Sequence, residues 1–111
     1  QFVSDDHRNF NREGKAFDVG ETFAGVDYET GLRAVEELRR LVPNGFSMTQ
    51  FALKWILMFD AVSLAIPGAK NALQARENAA ASDLPEISPE TMRRVAEIYN
   101  TYIRPQVHQR W

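Results

Sequence analysis

The chain of 111 residues contains no cysteine, which excludes disulfide bridges, thiolate metal sites and a cysteine nucleophile. Its 2 histidines, His7 and His108, lie too far apart in the sequence to share a metal-ligand spacing. A net charge of −2 argues against a basic face that binds nucleic acid. No apolar run approaches the ~20 residues that a bilayer-spanning helix needs. These absences favour a cytoplasmic protein that binds neither nucleic acid nor membrane.

What is present is mostly helical. Four helices are predicted, at about residues 27–41, 47–59, 72–81 and 88–103. Ser47 and Gln50 form a capping-box pattern that opens the second helix. Ser88 is placed to cap the fourth, with Pro89 at its first position, and Pro105 is expected to end it. The second helix is apolar on nearly all sides, so we expect it to be covered on several sides.

A single strand is predicted, at residues 62–66. It alternates large Val62, Leu64 and Ile66 with small Ser63 and Ala65. This alternation is typical of a barrel strand, whose large residues pack against helices while its small ones face a crowded interior. A lone buried strand leaves its backbone hydrogen-bonding groups unpaired. We therefore expect it to pair with strands that are not in this chain.

Residues 66–70, Ile-Pro-Gly-Ala-Lys, join that strand to the alanine-rich third helix. A turn that opens a helix presents free backbone N–H groups at the positive end of the helix dipole, which suits a phosphate. Lys70 adds a positive charge, and Gln74 and Asn78 lie one helical turn apart on one face. The pattern predicts an anion site. One alternative is a plain turn that needs glycine for a backbone angle. A Gln74 side chain that caps the Asn71 N–H is also open, and this role does not exclude phosphate binding.

The turn resembles the last strand-to-helix step of the aldo-keto reductases, in which Ile-Pro-Gly-x-x precedes a helix carrying Gln and Glu-Asn. Residues 5–9 resemble the family's loop after strand seven. Residues 51–55 resemble the buried helix before strand eight, and residues 88–90 the start of the closing helix. The likeness keeps one order over nearly the whole chain. It is greatest to the bacterial branch of the family that has the Ile-Pro-Gly-Ala turn.

The resemblance implies an α/β fold, the carboxy-terminal portion of a (β/α)8 TIM barrel, mostly helical here with one core strand at about 62–66. Residues 1–25 correspond to the loop after strand seven, 26–103 to helices and strand eight, and 104–111 to a tail. The chain begins in a loop and without methionine, which also suggests a segment of a longer protein. The missing amino-terminal part of the same barrel is then an expected partner.

The function implied by the resemblance is an NADP(H)-dependent reductase that transfers hydride from the nicotinamide to an aldehyde or ketone. This segment would hold the adenosine 2′-phosphate end of the cofactor. The implied cofactor-binding residues are Gly68, Ala69, Lys70, Gln74, Glu77 and Asn78, with Arg8 reaching the phosphates from its loop. Other members carry Lys-Ser at Gly68 and Ala69 and an arginine at Gln74. Their absence should weaken the preference for NADPH over NADH, although Lys70 restores part of the charge.

No catalytic residue is predicted in the chain. The family's tyrosine, lysine, aspartate and histidine precede the part of the barrel that the chain resembles. Tyr28, Tyr99 and Tyr102 lie on predicted helical faces, and Asp5 and Asp6 lack the third ligand that a metal site needs. The segment alone is therefore expected to be inactive.

Two other functions fit the same sequence. One is a non-catalytic, cofactor-sensing subunit, because barrels of this family also serve as regulatory partners of membrane channels. The other is an independent small helical interaction domain whose likeness to the barrel is accidental. The unpaired strand and the apolar second helix argue against the latter.

Overall fold

The computed structural model describes residues 25–110 of the chain. The helices among these residues are α1 (Tyr28–Arg39), α2 (Met48–Leu57), α3 (Ala72–Ala80), α4 (Pro89–Ile98) and the short α5 (Arg104–Val107). A 3₁₀ turn, Ala81–Asp83, follows α3, a π-helical segment, Tyr99–Ile103, joins α4 to α5, and a second 3₁₀ turn, His108–Arg110, ends the described part. All four predicted helices are present. In residues 25–110, none of the helices combines the length and apolar character that crossing a bilayer requires.

The described residues divide into two compact units, one of residues 25–40 and 95–110 and the other of residues 41–94. In the first unit, α1 contacts the π-helical segment, and the buried apolar side chains are Tyr28, Ala34, Ile98 and Val107. In the second unit, they are Phe51, Ala81 and Ile87. The second unit contains the residues predicted to bind the cofactor from Gly68 to Asn78.

The predicted helix starts are confirmed by their caps. The Ser47 Oγ accepts from the Gln50 N–H at 3.1 Å, and the Gln50 Oε1 accepts from the Ser47 N–H at 3.0 Å, so the capping box is complete. At α4, the Ser88 Oγ accepts from the Thr91 N–H at 3.1 Å. Each cap satisfies N–H groups that a helix start leaves without an intrahelical acceptor.

The predicted end of the last helix at Pro105 is wrong. The helical path passes through Pro105, because the chain first widens into the π-helical segment, where the Arg104 N–H bonds to the Tyr99 carbonyl. Pro105 then lies in the first turn of α5. A residue in the first turn needs no N–H for intrahelical bonding, so proline is tolerated there.

The predicted strand at residues 62–66 is also not observed: no strand occurs in residues 25–110. The segment is exposed rather than packed, with Leu64 63% and Ile66 91% accessible, so the expected packing of its large residues against helices is wrong as well. A strand is defined by its ladder, and the described residues provide no strand beside this segment. The expected cover of α2 is likewise incomplete, since only Phe51 of that helix is buried and Phe59 beyond its end is 43% exposed.

Candidate phosphate-binding turn

The start of α3 is built by Asn71, which has an extended backbone (φ −154°, ψ 168°) and acts as the N-cap. Its Oδ1 accepts from the Gln74 N–H at 2.9 Å, and its carbonyl accepts from the Ala75 N–H at 3.1 Å. The N–H groups of Ala72 and Leu73 have no acceptor within residues 25–110. The first turn of α3 therefore offers unpaired donors at the positive end of its dipole.

Gln74 binds the turn that precedes the helix. Its Oε1 accepts from the Lys70 N–H at 2.7 Å. The prediction that the Gln74 side chain accepts from the Asn71 N–H is wrong, because the donor is the preceding residue, Lys70. The other hydrogen bond of that capping box is present, since the Asn71 Oδ1 accepts from the Gln74 N–H. Because Oε1 is engaged, the Gln74 Nε2 is left as a donor without an acceptor among the described residues.

Asn78, four residues after Gln74 in α3, also binds residues 68–70. Its Nδ2 donates to the Gly68 carbonyl at 3.1 Å, and the side chain is half-buried. The sequence pattern placed Gln74 and Asn78 on one helical face, and the structure confirms that both face residues 68–70. Both amides bind the backbone of that turn, so their first role is to fix its shape.

Gly68 does not need to be glycine for its backbone angle. Positive φ angles in the described part of the chain occur at Gly25 and Gly45, not at Gly68. A Cβ placed on Gly68 would meet no atom within 4 Å. The alternative of a turn that requires glycine conformationally is therefore wrong, and the lack of a side chain leaves open space over the turn.

The charge beside this open space comes from Lys70. Its side chain is exposed, and its ammonium has no carboxylate partner within residues 25–110. A lysine ammonium is a compact charge on a flexible stem, which suits binding to a phosphate that the backbone positions. Open space over residues 68–70 thus precedes a helix start with unpaired donors, and Lys70 adds a cation without a carboxylate partner among the described residues.

An apolar groove of about 480 Å³ lies beside the turn. Leu53 and Leu57 of α2 and Ala75 and Ala79 of α3 contribute to its walls, together with residues of the extended segment 63–69. No charged side chain lines it. An anion is therefore expected at the turn itself and not in the groove.

One side chain of α2 binds α3 and another binds the 3₁₀ turn that follows α3, and the sequence reasoning missed both contacts. The Gln50 Nε2 donates to the Glu77 carbonyl at 3.2 Å, and the Lys54 Nζ donates to the Ser82 carbonyl at 3.1 Å. Gln50 and Lys54 are four residues apart, so they share one face of α2. Their polarity on a helix that is otherwise mostly apolar was the signal that could have revealed them.

The remaining candidates lie elsewhere. Arg8 is outside the described residues, as are Asp5 and Asp6. In the first unit, the Tyr99 hydroxyl and the His108 Nδ1 are 3.0 Å apart, a hydrogen bond that the sequence did not predict. The described residues contain no cluster of three or more His, Asp or Glu side chains that could hold a metal ion.

Comparison with known proteins gives one match. The sequence model of the Aldo/keto reductase family matches residues 1–100. The resemblance to this family is confirmed, while the bacterial branch stays a prediction. No curated protein and no solved structure matches the chain. The family implies an oxidoreductase parent with a (β/α)8 barrel, a nicotinamide cofactor and a carbonyl substrate.

Proposed function

Since this chain belongs to the Aldo/keto reductase family, we propose that it is the carboxy-terminal segment of an NADP(H)-dependent reductase of aldehydes or ketones. The segment supplies the binding site for the adenosine 2′-phosphate of the cofactor. When bound, the cofactor supplies a hydride to the carbonyl carbon of the substrate. The residues of this chain bind and orient it, and the proton donor comes from the rest of the barrel.

The observation that supports this proposal is that the turn at residues 68–70 is held in shape by side chains and is open on one side. Gln74 and Asn78 hold its backbone from one side, while Gly68 leaves its other side open. Lys70 and the first N–H groups of α3 supply positive charge without a partner among the described residues. A preformed turn with unpaired donors fits a phosphate, because binding then costs little reorganisation.

Each candidate residue has a role in this proposal. Gly68 and Ala69 let the phosphate approach the backbone, and Lys70 offsets its charge. The Gln74 Nε2 is the side-chain donor left for the phosphate. Further along α3, Asn78 and Glu77 would bind the adenine end of the cofactor, and Arg8 is a further candidate for its phosphates.

The extended segment at residues 63–67 supports placing the chain in a barrel. Its backbone N–H and C=O groups have no partner within residues 25–110, and Leu64 and Ile66 are exposed. Both features fit a strand whose ladder is completed by the missing amino-terminal part of the same barrel. A cytoplasmic location stays a prediction.

A charge reversal at the turn tests the cofactor site. Gly68→Asp in the full-length protein should weaken NADPH binding by about tenfold or more, because a carboxylate would face the 2′-phosphate. Gly68→Asn has the same size without the charge and is the matched control, so its loss should be smaller. Equal affinities for NADPH in both variants would argue against a phosphate at this turn.

The alternatives separate by other measurements. A cofactor-sensing subunit would bind NADPH through the same turn but would not turn over aldehydes, so a steady-state assay of the full-length protein distinguishes it. An independent helical domain with an accidental likeness does not fit the family match over residues 1–100.

A further inference from the structure

We propose that Gln50 is a positioning residue for the cofactor: its side chain joins α2 to α3 and thereby fixes the turn at residues 68–70. This role rests on the proposed function, since it concerns the same turn. Gln50 would then have two roles, one in the cap of α2 and one in positioning the turn that precedes α3.

The amide of Gln50 makes two hydrogen bonds with different partners. Its Oε1 accepts from the Ser47 N–H at 3.0 Å, and its Nε2 donates to the Glu77 carbonyl at 3.2 Å. Only one orientation of the amide satisfies both, because Ser47 presents a donor and Glu77 an acceptor. The capping box thus orients the amide toward α3.

The position of this contact along α3 connects it to the turn. Glu77 is adjacent to Asn78, whose side chain holds the Gly68 carbonyl, and it is one turn from Gln74, whose side chain holds the Lys70 N–H. Any shift of α3 against α2 at Glu77 therefore changes the position of the turn. Gln50 acts on the turn through α3 and does not contact it.

The helices α2 and α3 contact each other, but their packing buries no side chain of α3 completely. Leu53 of α2 and Ala75 of α3 both line the apolar groove of about 480 Å³. The first buried side chain is Ala81, 1% exposed, beyond the end of the helix. Within residues 25–110, Gln50 provides the side-chain hydrogen bond from α2 to α3 itself. Lys54 bonds only to Ser82, in the turn that follows α3.

The test compares two Gln50 variants in the full-length protein. Gln50→Glu keeps an acceptor for the Ser47 N–H, as capping boxes with Glu do, and loses the donor to Glu77. Gln50→Met loses both contacts without adding charge. We expect the Kd and the KM for NADPH to rise about three- to tenfold in both variants, the range that loss of one hydrogen bond gives, with kcat little changed. Gln50→Glu should keep the wild-type melting temperature within a few degrees.

Ser47→Ala is the matched control, because it removes the serine half of the cap and leaves the Gln50 contact with Glu77. It should lower the stability and leave the Kd for NADPH unchanged. Wild-type affinity in both Gln50 variants would overturn the positioning role, as would an equal loss in Ser47→Ala. A loss in Gln50→Glu alone would also overturn it, since charge would then be the cause.

The Gly68 and Gln50 variants together separate the positioning role from the proposed function. If Gly68→Asp weakens NADPH binding more than Gly68→Asn while the Gln50 variants bind normally, the site stands and Gln50 has no part in it. If the two Gly68 variants bind NADPH equally, the site at the turn is wrong and the role of Gln50 is overturned with it.

Discussion

The side-chain amide of Asn78 donates a 3.1 Å hydrogen bond to the backbone carbonyl of Gly68, ten residues before it. Together with the bond from the Lys70 N–H to Gln74, it holds both ends of a three-residue turn from a single face of α3. The two amides that the sequence suggested as ligand contacts therefore first serve as supports of the turn. A ligand bound there meets a backbone that is already shaped.

The double variant Gln74→Ala, Asn78→Ala should reduce both stability and cofactor affinity. Each amide makes one hydrogen bond to the turn, worth about 0.5–1.5 kcal/mol net. The affinity loss should be larger for NADPH than for NADH, because we propose that the turn binds the 2′-phosphate. Titration of both cofactors into the full-length protein checks this. Equal losses would indicate that the two residues only stabilise the helix start.

Two glycine-to-alanine changes should have opposite effects on stability. Gly68 has no positive φ, and an alanine methyl there would meet no atom within 4 Å, so Gly68→Ala should raise the free energy of unfolding by about 0.4–1 kcal/mol. Gly45 has a φ of +88°, so Gly45→Ala should lower it by about 1–2 kcal/mol. Urea unfolding of both variants measures the difference. A destabilised Gly68→Ala would mean that the turn has another conformation.

Ser47→Ala should lower the free energy of unfolding by about 1 kcal/mol, because the Gln50 N–H loses its acceptor at the start of α2. Ser47→Thr keeps a hydroxyl acceptor and should stay within a few tenths of a kcal/mol of wild type. Thermal denaturation of the two variants provides the comparison. If both variants melt together with wild type, the cap contributes nothing to stability.

Asp27 predicts a pH dependence. The Thr30 N–H and hydroxyl donate to its carboxylate, both at 2.8 Å, and with the charge of Arg33 they hold the pKa of Asp27 below its ordinary value. A lowered pKa in the folded state stabilises the protein above the unfolded pKa, and that contribution disappears as the pH falls through the folded value.

The variant Asp27→Asn isolates this effect, because asparagine retains the N-cap and cannot ionise. Wild type should be more stable than the variant at pH 7, and the difference should shrink below about pH 4. Urea unfolding at both pH values measures it. A difference that stays constant with pH would show that the charge of Asp27 has no part in the stability.

The helix starts could be predicted from the sequence because their causes are local. Ser47 and Ser88 each find their partner three residues ahead, within one turn of their own helix. The hydrogen bond from Gln50 to Glu77 spans 27 residues, so no short pattern encodes it. Of the candidate site, the common face of Gln74 and Asn78 followed from helical spacing. The helical spacing did not predict that both amides bind the backbone of the turn.

The failed predictions depend on the structure around each residue pattern. Residues 62–66 have the alternation of a strand, but a strand forms only where a neighbouring strand completes its ladder. Pro105 ends helices in most contexts, but here the π-helical segment before it moves it into a first turn, where its missing N–H is harmless. In both cases the residue pattern was correct and the surroundings decided the structure.

The most direct test of the phosphate-binding turn is a crystal structure of the full-length protein with NADP⁺ bound. We predict the 2′-phosphate within hydrogen-bonding distance of the backbone at residues 68–70, with the Lys70 ammonium beside it. We also expect the bond from Asn78 to the Gly68 carbonyl to persist in the complex. A 2′-phosphate bound away from this turn would contradict the central claim.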